Sequence, residues 1–104
     1  MPAINRGEVW QVDFGMAAKV RPALLLTGNP ADDELDWVTV LLPTTSLRGN
    51  RWELSIPKPF LKPGAFHLQQ VQSVPTVRLE RRLGVLNETE MNIVLDALAE
   101  RLKI

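Results

Sequence analysis

The sequence predicts a mainly β domain closed by one C-terminal α-helix, and three observations carry that expectation. Short runs of β-branched, aliphatic and aromatic residues recur along most of the chain, each bounded by Gly, Pro, Asn or Asp. The last segment changes from strand-like alternation to helical spacing. At 104 residues the chain has the length of one core. No repeat or low-complexity linker divides it, so residues 1–104 are expected to form a single domain. A small, strongly bent antiparallel barrel is the most economical arrangement of such strands.

The run EVWQVDF, Glu8 to Phe14, puts Val9, Gln11 and Asp13 on one face and Trp10, Val12 and Phe14 on the other. PALLLT, Pro22 to Thr27, is apolar almost throughout and suits a strand buried on both faces. GNPADDELD is a polar hairpin connection to the β-rich WVTVLLP, Trp37 to Pro43. RWELSI, Arg51 to Ile56, alternates Trp52, Leu54 and Ile56 against polar neighbours, which favours a core place for the Trp52 ring over stacking on a nucleotide base. PKPFLKPG holds three prolines and a glycine and excludes regular structure, whereas AFHLQQVQSV contains a further strand. In LNETEMNIVLDALAERL, Asn87 is the N-cap, Glu90 follows three residues on, and Leu86 sits beside Met91 as a hydrophobic staple. Met91, Val94, Leu95, Leu98 and Leu102 form one apolar helical stripe. Arg48, Arg51, Arg78, Arg81 and Arg82 fall in the expected connections. Trp10, Val12, Leu24, Leu26 and the helix present more apolar face than a chain this size easily hides, which points to a homodimer.

Several classes are excluded. No run approaches the ~20 apolar residues of a membrane span, and the start MPAINRGEVW lacks a signal-peptide layout, so a cytoplasmic protein without a membrane partner is expected. Without cysteine there is no disulfide framework or thiolate chemistry, and one histidine cannot build a histidine-rich metal site. No cofactor and no metal are called for. Lys plus Arg and Asp plus Glu are both 12, so no global basic excess marks a nucleic-acid binder. The acids gather in ADDELD, Ala31 to Asp36, and in the C-terminal segment, which leaves room for a local basic face.

RGEVWQVDF, RPALLL, PTTS and HLQQVQSV, in that order and followed by a helix, resemble the MazF/PemK (Kid) family of toxin endoribonucleases over nearly the whole chain. The resemblance implies an SH3-like, PemK/CcdB-type antiparallel β-barrel that forms a homodimer. It further implies metal-independent, sequence-specific cleavage of single-stranded RNA, held in check by a MazE-like antitoxin. Such cleavage drives the 2′-OH onto the adjacent phosphorus and leaves a 2′,3′-cyclic phosphate. It requires a proton acceptor, a proton donor and hydrogen-bond donors for the phosphoryl oxygens. Two same-fold alternatives that cut nothing stand beside it. One is a CcdB-like gyrase poison, although this chain ends RLKI where that branch carries Trp-Gly-Ile; the other is a catalytically weakened antitoxin-binding module.

The residues matching the family's motifs are then the candidate site. Arg21 offers a rigid guanidinium fork for a phosphate, with Pro22 fixing the chain direction at the strand entrance. Thr44 matches the family's functional threonine, with Thr45 and Ser46 as neighbouring hydroxyls. His67 stands where the PemK branch carries an arginine, and its imidazole can move a proton near neutral pH. Arg48 and Arg51 in SLRGNRW are placed to meet RNA phosphates, and Gln70 and Arg78 complete the expected substrate contacts. Two departures accompany the resemblance: Gln69 replaces a frequent acid, and the connection GMAAK is shorter than the usual first loop.

Overall fold

The computed structural model describes residues 3–15 and 19–104. Among these, six strands form one sheet: β1 (Glu8–Asp13), β2 (Val20–Leu25), β3 (Trp37–Thr44), β4 (Glu53–Leu54), β5 (Ala65–Pro75) and β6 (Leu79–Val85). A single 3₁₀ turn, Thr76–Arg78, joins β5 to β6, and helix α1 (Glu88–Leu102) ends the fold. The strand order is β4-β5-β3-β2-β1-β6, and every neighbouring pair is antiparallel. Most of the connection GMAAK lies outside the described residues.

The expected barrel does not close. β4 and β6 are the two edges of the sheet and do not pair with each other. RWELSI contributes only the two residues Glu53–Leu54 to the ladder, too short a strand to bridge to the opposite edge. An open sheet has two faces, and the chain buries both. Trp10, Val12, Ala23, Leu25, Val38, Val40 and Val74 pack on one face with Ile4. Val9, Leu24, Leu41, Phe66 and Leu68 pack on the other against Leu86 and against Met91, Val94 and Leu98 of α1. Within β2, Ala23 and Leu25 enter the first core and Leu24 the second, so this strand is buried on both faces as its composition implies. Of the apolar surface expected to drive pairing, the helix keeps a share exposed at Ile93 and Leu102, whereas the strand residues are largely covered. Trp10, Val12 and Leu24 are at most 6% exposed within one chain, and Leu26 is half-buried against the second core.

The helix begins as its sequence dictates. Asn87 Oδ1 accepts from Glu90 N at 2.8 Å, and Glu90 Oε1 accepts from Asn87 N at 2.9 Å, a complete capping box. Leu86 and Met91 are both buried, as the staple requires. Lys58 bridges to Glu90 at 2.6 Å, and this ammonium, with the Asn87 backbone N–H, holds the Glu90 carboxyl below its ordinary range.

The N-terminal motif is scaffold. Gly7 takes φ +97°, and a Cβ there would lie 3.2 Å from Met91 Cγ, so both conformation and space favour glycine. Glu8 is buried, and its carboxylate accepts from Asn5 N (3.0 Å) and Nδ2 (3.3 Å), Trp10 Nε1 (3.0 Å) and Arg82 Nη1 (3.2 Å). Burial pushes this carboxyl up, but these four donors outweigh it and leave the group below its ordinary value. One acid thereby ties the N-terminal turn, β1 and β6 together.

Strand β6 lies where only a connection was expected. Glu80, Arg81 and Arg82 are three exposed charged residues in succession, which erases the alternation that marks a strand. Register shifts between Val9 and Trp10 and between Gln11 and Val12 accommodate this run against β1.

Candidate active site

The site arises where two prolines interrupt the sheet. β2 and β3 pair through Leu24↔Leu41 and Leu25↔Val40. Continued outward, that register sets Pro22 against Pro43 and Arg21 against Thr44. Neither proline has an N–H to donate, so the ladder stops and the strands part. The Arg21 guanidinium reaches into the gap and donates from Nη2 to the Pro43 carbonyl at 3.0 Å. Beyond this point β3 has parted from β2 but stays paired with β5 on its other side, where Thr44 faces Ala65.

A cleft of about 440 Å³ opens at the parting. Arg21, Thr44 and Thr45 line it, with Gln11 and Arg81 from β1 and β6, and with Phe60, Leu61 and Lys62 from the proline-rich connection. Thr44 Oγ1 accepts the Ser46 N–H at 3.1 Å, which orients the hydroxyl and leaves its own proton to donate. Among the described residues, three cations and three uncharged polar side chains surround the space, and no carboxylate or imidazole does. This donor set suits an anion. It holds none of the carboxylates on which hard-cation sites are usually built, and no cluster of three or more His, Asp or Glu occurs among the described residues.

The other candidates lie outside the cleft lining. His67 pairs with Glu53 across β4–β5. It falls in the stretch between Phe66 and Val71 where the β3–β5 register shifts. Its Nδ1 faces Gln69 N at 3.2 Å and its Nε2 faces Asn50 Nδ2 at 3.3 Å. Both partners are N–H donors, so either neutral tautomer makes only one of these hydrogen bonds. The loop carrying Ser46, Arg48 and Arg51 is organised by Glu53, whose carboxylate accepts from Arg48 N at 2.7 Å and Gly49 N at 3.0 Å. Trp52 packs against the second core as expected, with the Arg51 and Arg101 guanidiniums 4.5 and 5.2 Å from its ring centroid. Gln70 is exposed on the bulged part of β5. Arg78 approaches Asp13 at 3.6 Å.

Gln11, Lys62 and Arg81 were not legible as site residues. Arg81 follows from no motif, because β6 itself was hidden; the signal for Gln11 was a long amide side chain on the same β1 face as Val9 and Asp13. Lys62 belongs to a connection whose prolines announce only the absence of regular structure.

Fold and cleft together define a class: a small open β-sheet backed by one helix, with a cation-lined cleft where its central strands separate. Residues 5–102 match the family described as PemK-like, MazF-like toxin of type II toxin-antitoxin system, and the chain belongs to that family. Among solved structures it is similar to an endoribonuclease from Mycobacterial species in complex with its cognate antitoxin. That match has TM-score 0.79 and 22% identity and covers 100% of this chain and 97% of the other. It is also similar to a MazE-MazF structure from Deinococcus radiodurans (TM-score 0.79, 16% identity, 98% and 97% covered). A third similar structure is Mycobacterium tuberculosis toxin MazF-mt6 (TM-score 0.71, 22% identity, 93% and 97% covered). No curated protein sequence matches significantly.

Proposed function

We propose that this toxin is an endoribonuclease that cleaves single-stranded RNA at specific sequences, without a metal ion, by attack of the 2′-OH on the adjacent phosphorus. The observation that carries this reading is the meeting of Arg21, Thr44 and Thr45 at a cleft lined by cations and hydroxyls and by no carboxylate. The Arg21 fork takes the non-bridging phosphoryl oxygens as charge builds on them. The Thr44 hydroxyl, held from below by Ser46 N–H, donates to the same phosphoryl group. Thr45 offers a second hydroxyl beside it, through which the 2′-OH proton passes to solvent; the P–O5′ bond breaks as the new bond forms, and the leaving 5′ oxygen takes a proton from water. Arg81 and Lys62 hold flanking phosphates. Arg48 and Arg51 present further charge from the loop after Thr45, whose Asn50 reaches His67 on β5.

Two of the similar structures contain a toxin with its antitoxin, and they support a MazE-like antitoxin as the partner here. A homodimer and a cytoplasmic location complete the proposal. The test is incubation of the purified protein with a long unstructured RNA in EDTA. Fragments ending in 2′,3′-cyclic phosphate support the reading, whereas intact RNA, or cleavage only after a divalent cation is added, contradicts it.

A further inference from the structure

Beside the cleft lies a second cavity, of about 340 Å³, on the other side of the proline-rich connection. Pro43, Leu61 and Lys62 line both spaces, so the two share a wall. The second cavity differs in chemistry. Ile56, Pro57, Pro63 and Phe66 give it an apolar lining, and Lys58, one of its two cations, is already held by Glu90 at 2.6 Å. The remaining cation, Lys62, stands at the boundary with the cleft.

The dividing wall is fixed from three directions. Phe60 lies flat on Gly84 of β6, so close that a Cβ on Gly84 would come within 2.4 Å of the ring. Lys58 fastens the same connection to the first turn of α1. Gly64 packs on the Thr44 backbone, where a Cβ would lie 2.1 Å from the Thr44 carbonyl oxygen. The segment that sequence alone describes as lacking regular structure is therefore a docked, proline-stiffened partition, with the proposed reacting threonine against one end.

We propose that this second cavity receives an unstacked base of the same RNA strand, immediately flanking the cleaved phosphate, and so contributes to the choice of cleavage sequence; this rests on the ribonuclease reading above. A ligand filling both spaces must place an anionic group among Arg21, Thr44 and Lys62 and, within a short covalent reach, a flat apolar group among Ile56, Leu61 and Phe66. A nucleotide joins those two chemistries in one unit. Single-stranded RNA presents its bases unstacked to protein surfaces of this kind. The cavity lies at the lower end of the ~300–1,000 Å³ range of small-molecule sites, which suits one heterocycle rather than a longer peptide segment.

The experiment uses the full chain and an oligoribonucleotide centred on a cut site mapped with that same protein. Each position flanking the cut is replaced in turn by an abasic residue, and single-turnover cleavage is measured. One flanking abasic position should slow cleavage by roughly 10- to 100-fold, the range expected for losing one held base. Ser55 is exposed and lines only the second cavity. Ser55→Trp should therefore fill the cavity, slow cleavage of the intact oligomer similarly, and lose sensitivity at that one abasic position. Its thermal midpoint reports folding, and the abasic scan of the parental protein requires no variant. Equal tolerance of every flanking abasic position would overturn the inference while leaving the ribonuclease reading intact. So would Ser55→Trp cutting the oligomer at the parental rate, which would turn the cavity over to another occupant such as a protein side chain. If the parental protein cuts no RNA at all, both readings fall.

Discussion

Glu8→Gln removes the charge that joins three parts of the fold while keeping the side chain's size. The carboxylate accepts four hydrogen bonds, two at each oxygen: Asn5 N and Trp10 Nε1 at Oε1, Asn5 Nδ2 and Arg82 Nη1 at Oε2. An amide in the same orientation keeps the first pair and turns an NH₂ group toward the second. Two contacts are lost and donors face donors. A buried hydrogen bond to a charged group contributes about 1.5–3 kcal/mol. The Arg82 side chain is 60% exposed, so its share is screened by water and the lower half of that range applies. A loss of about 2 kcal/mol corresponds, for a domain of this size, to a fall of roughly 8–16 °C in thermal midpoint. The pH dependence has a definite sign. Because the folded carboxyl titrates below the ordinary value of 4.5, its stabilisation is complete above that value and disappears as pH falls through the lower folded pKa. Thermal unfolding of both proteins at pH 7 and near pH 3 should show a large gap that narrows in acid. A variant within 2 °C of the parent at pH 7, or a gap unchanged in acid, would refute the assignment of Glu8 as a structural tie. Lost RNA cleavage with unchanged stability would assign it to the site instead.

Three further outcomes follow from named contacts. Asn87→Ala removes half of the capping box and should cost about 1 kcal/mol, read as a lower denaturation midpoint without change in cleavage rate per folded molecule. Gly64→Ala drives a Cβ against the Thr44 carbonyl, a backbone atom that cannot swing aside, so both cleavage and stability should fall together; parental values for either would contradict the contact. His67 faces Asn50 and Gln69 and does not line the cleft, so His67→Gln should keep the parental pH–rate profile between pH 5 and 8. A lost bend with a ~10²- to 10⁴-fold slower rate would make the imidazole the proton carrier that its place in the sequence first implied.

The legibility of this chain follows local chemistry. β1, β2 and the capped helix were readable because alternation, an unbroken aliphatic run and the Asn87–Glu90 pair are each decided within a few residues. β6 was not, because Glu80, Arg81 and Arg82 abandon alternation on an edge strand, where only one neighbour constrains the pattern. That the sheet stays open was equally invisible, since it depends on how many residues of RWELSI reach the ladder. For the site, Arg21 and Thr44 were legible as residue types in motif order. Their convergence depends on something the motifs do not state, the opposition of Pro22 and Pro43 that ends the β2–β3 ladder. The role of Lys62, Arg81 and the proline-rich partition required the fold, because residues far apart in the chain form one wall.

The central claim is that the guanidinium at the parted strands is there for a phosphate. It is tested most directly by single-turnover cleavage of RNA in EDTA by Arg21→Ala and Arg21→Lys, with thermal unfolding in parallel. The guanidinium is charged but half-exposed, so loss of its bond to the Pro43 carbonyl should cost about 1–1.5 kcal/mol, a fall in midpoint of roughly 4–12 °C. Cleavage should slow by roughly 10²- to 10³-fold in Arg21→Ala, the loss expected for a donor to a developing oxyanion. Arg21→Lys should recover little of it, since a point charge cannot reproduce the fork. Arg21→Ala cutting at the parental rate, or slowing only in proportion to the molecules that have unfolded, would contradict the account.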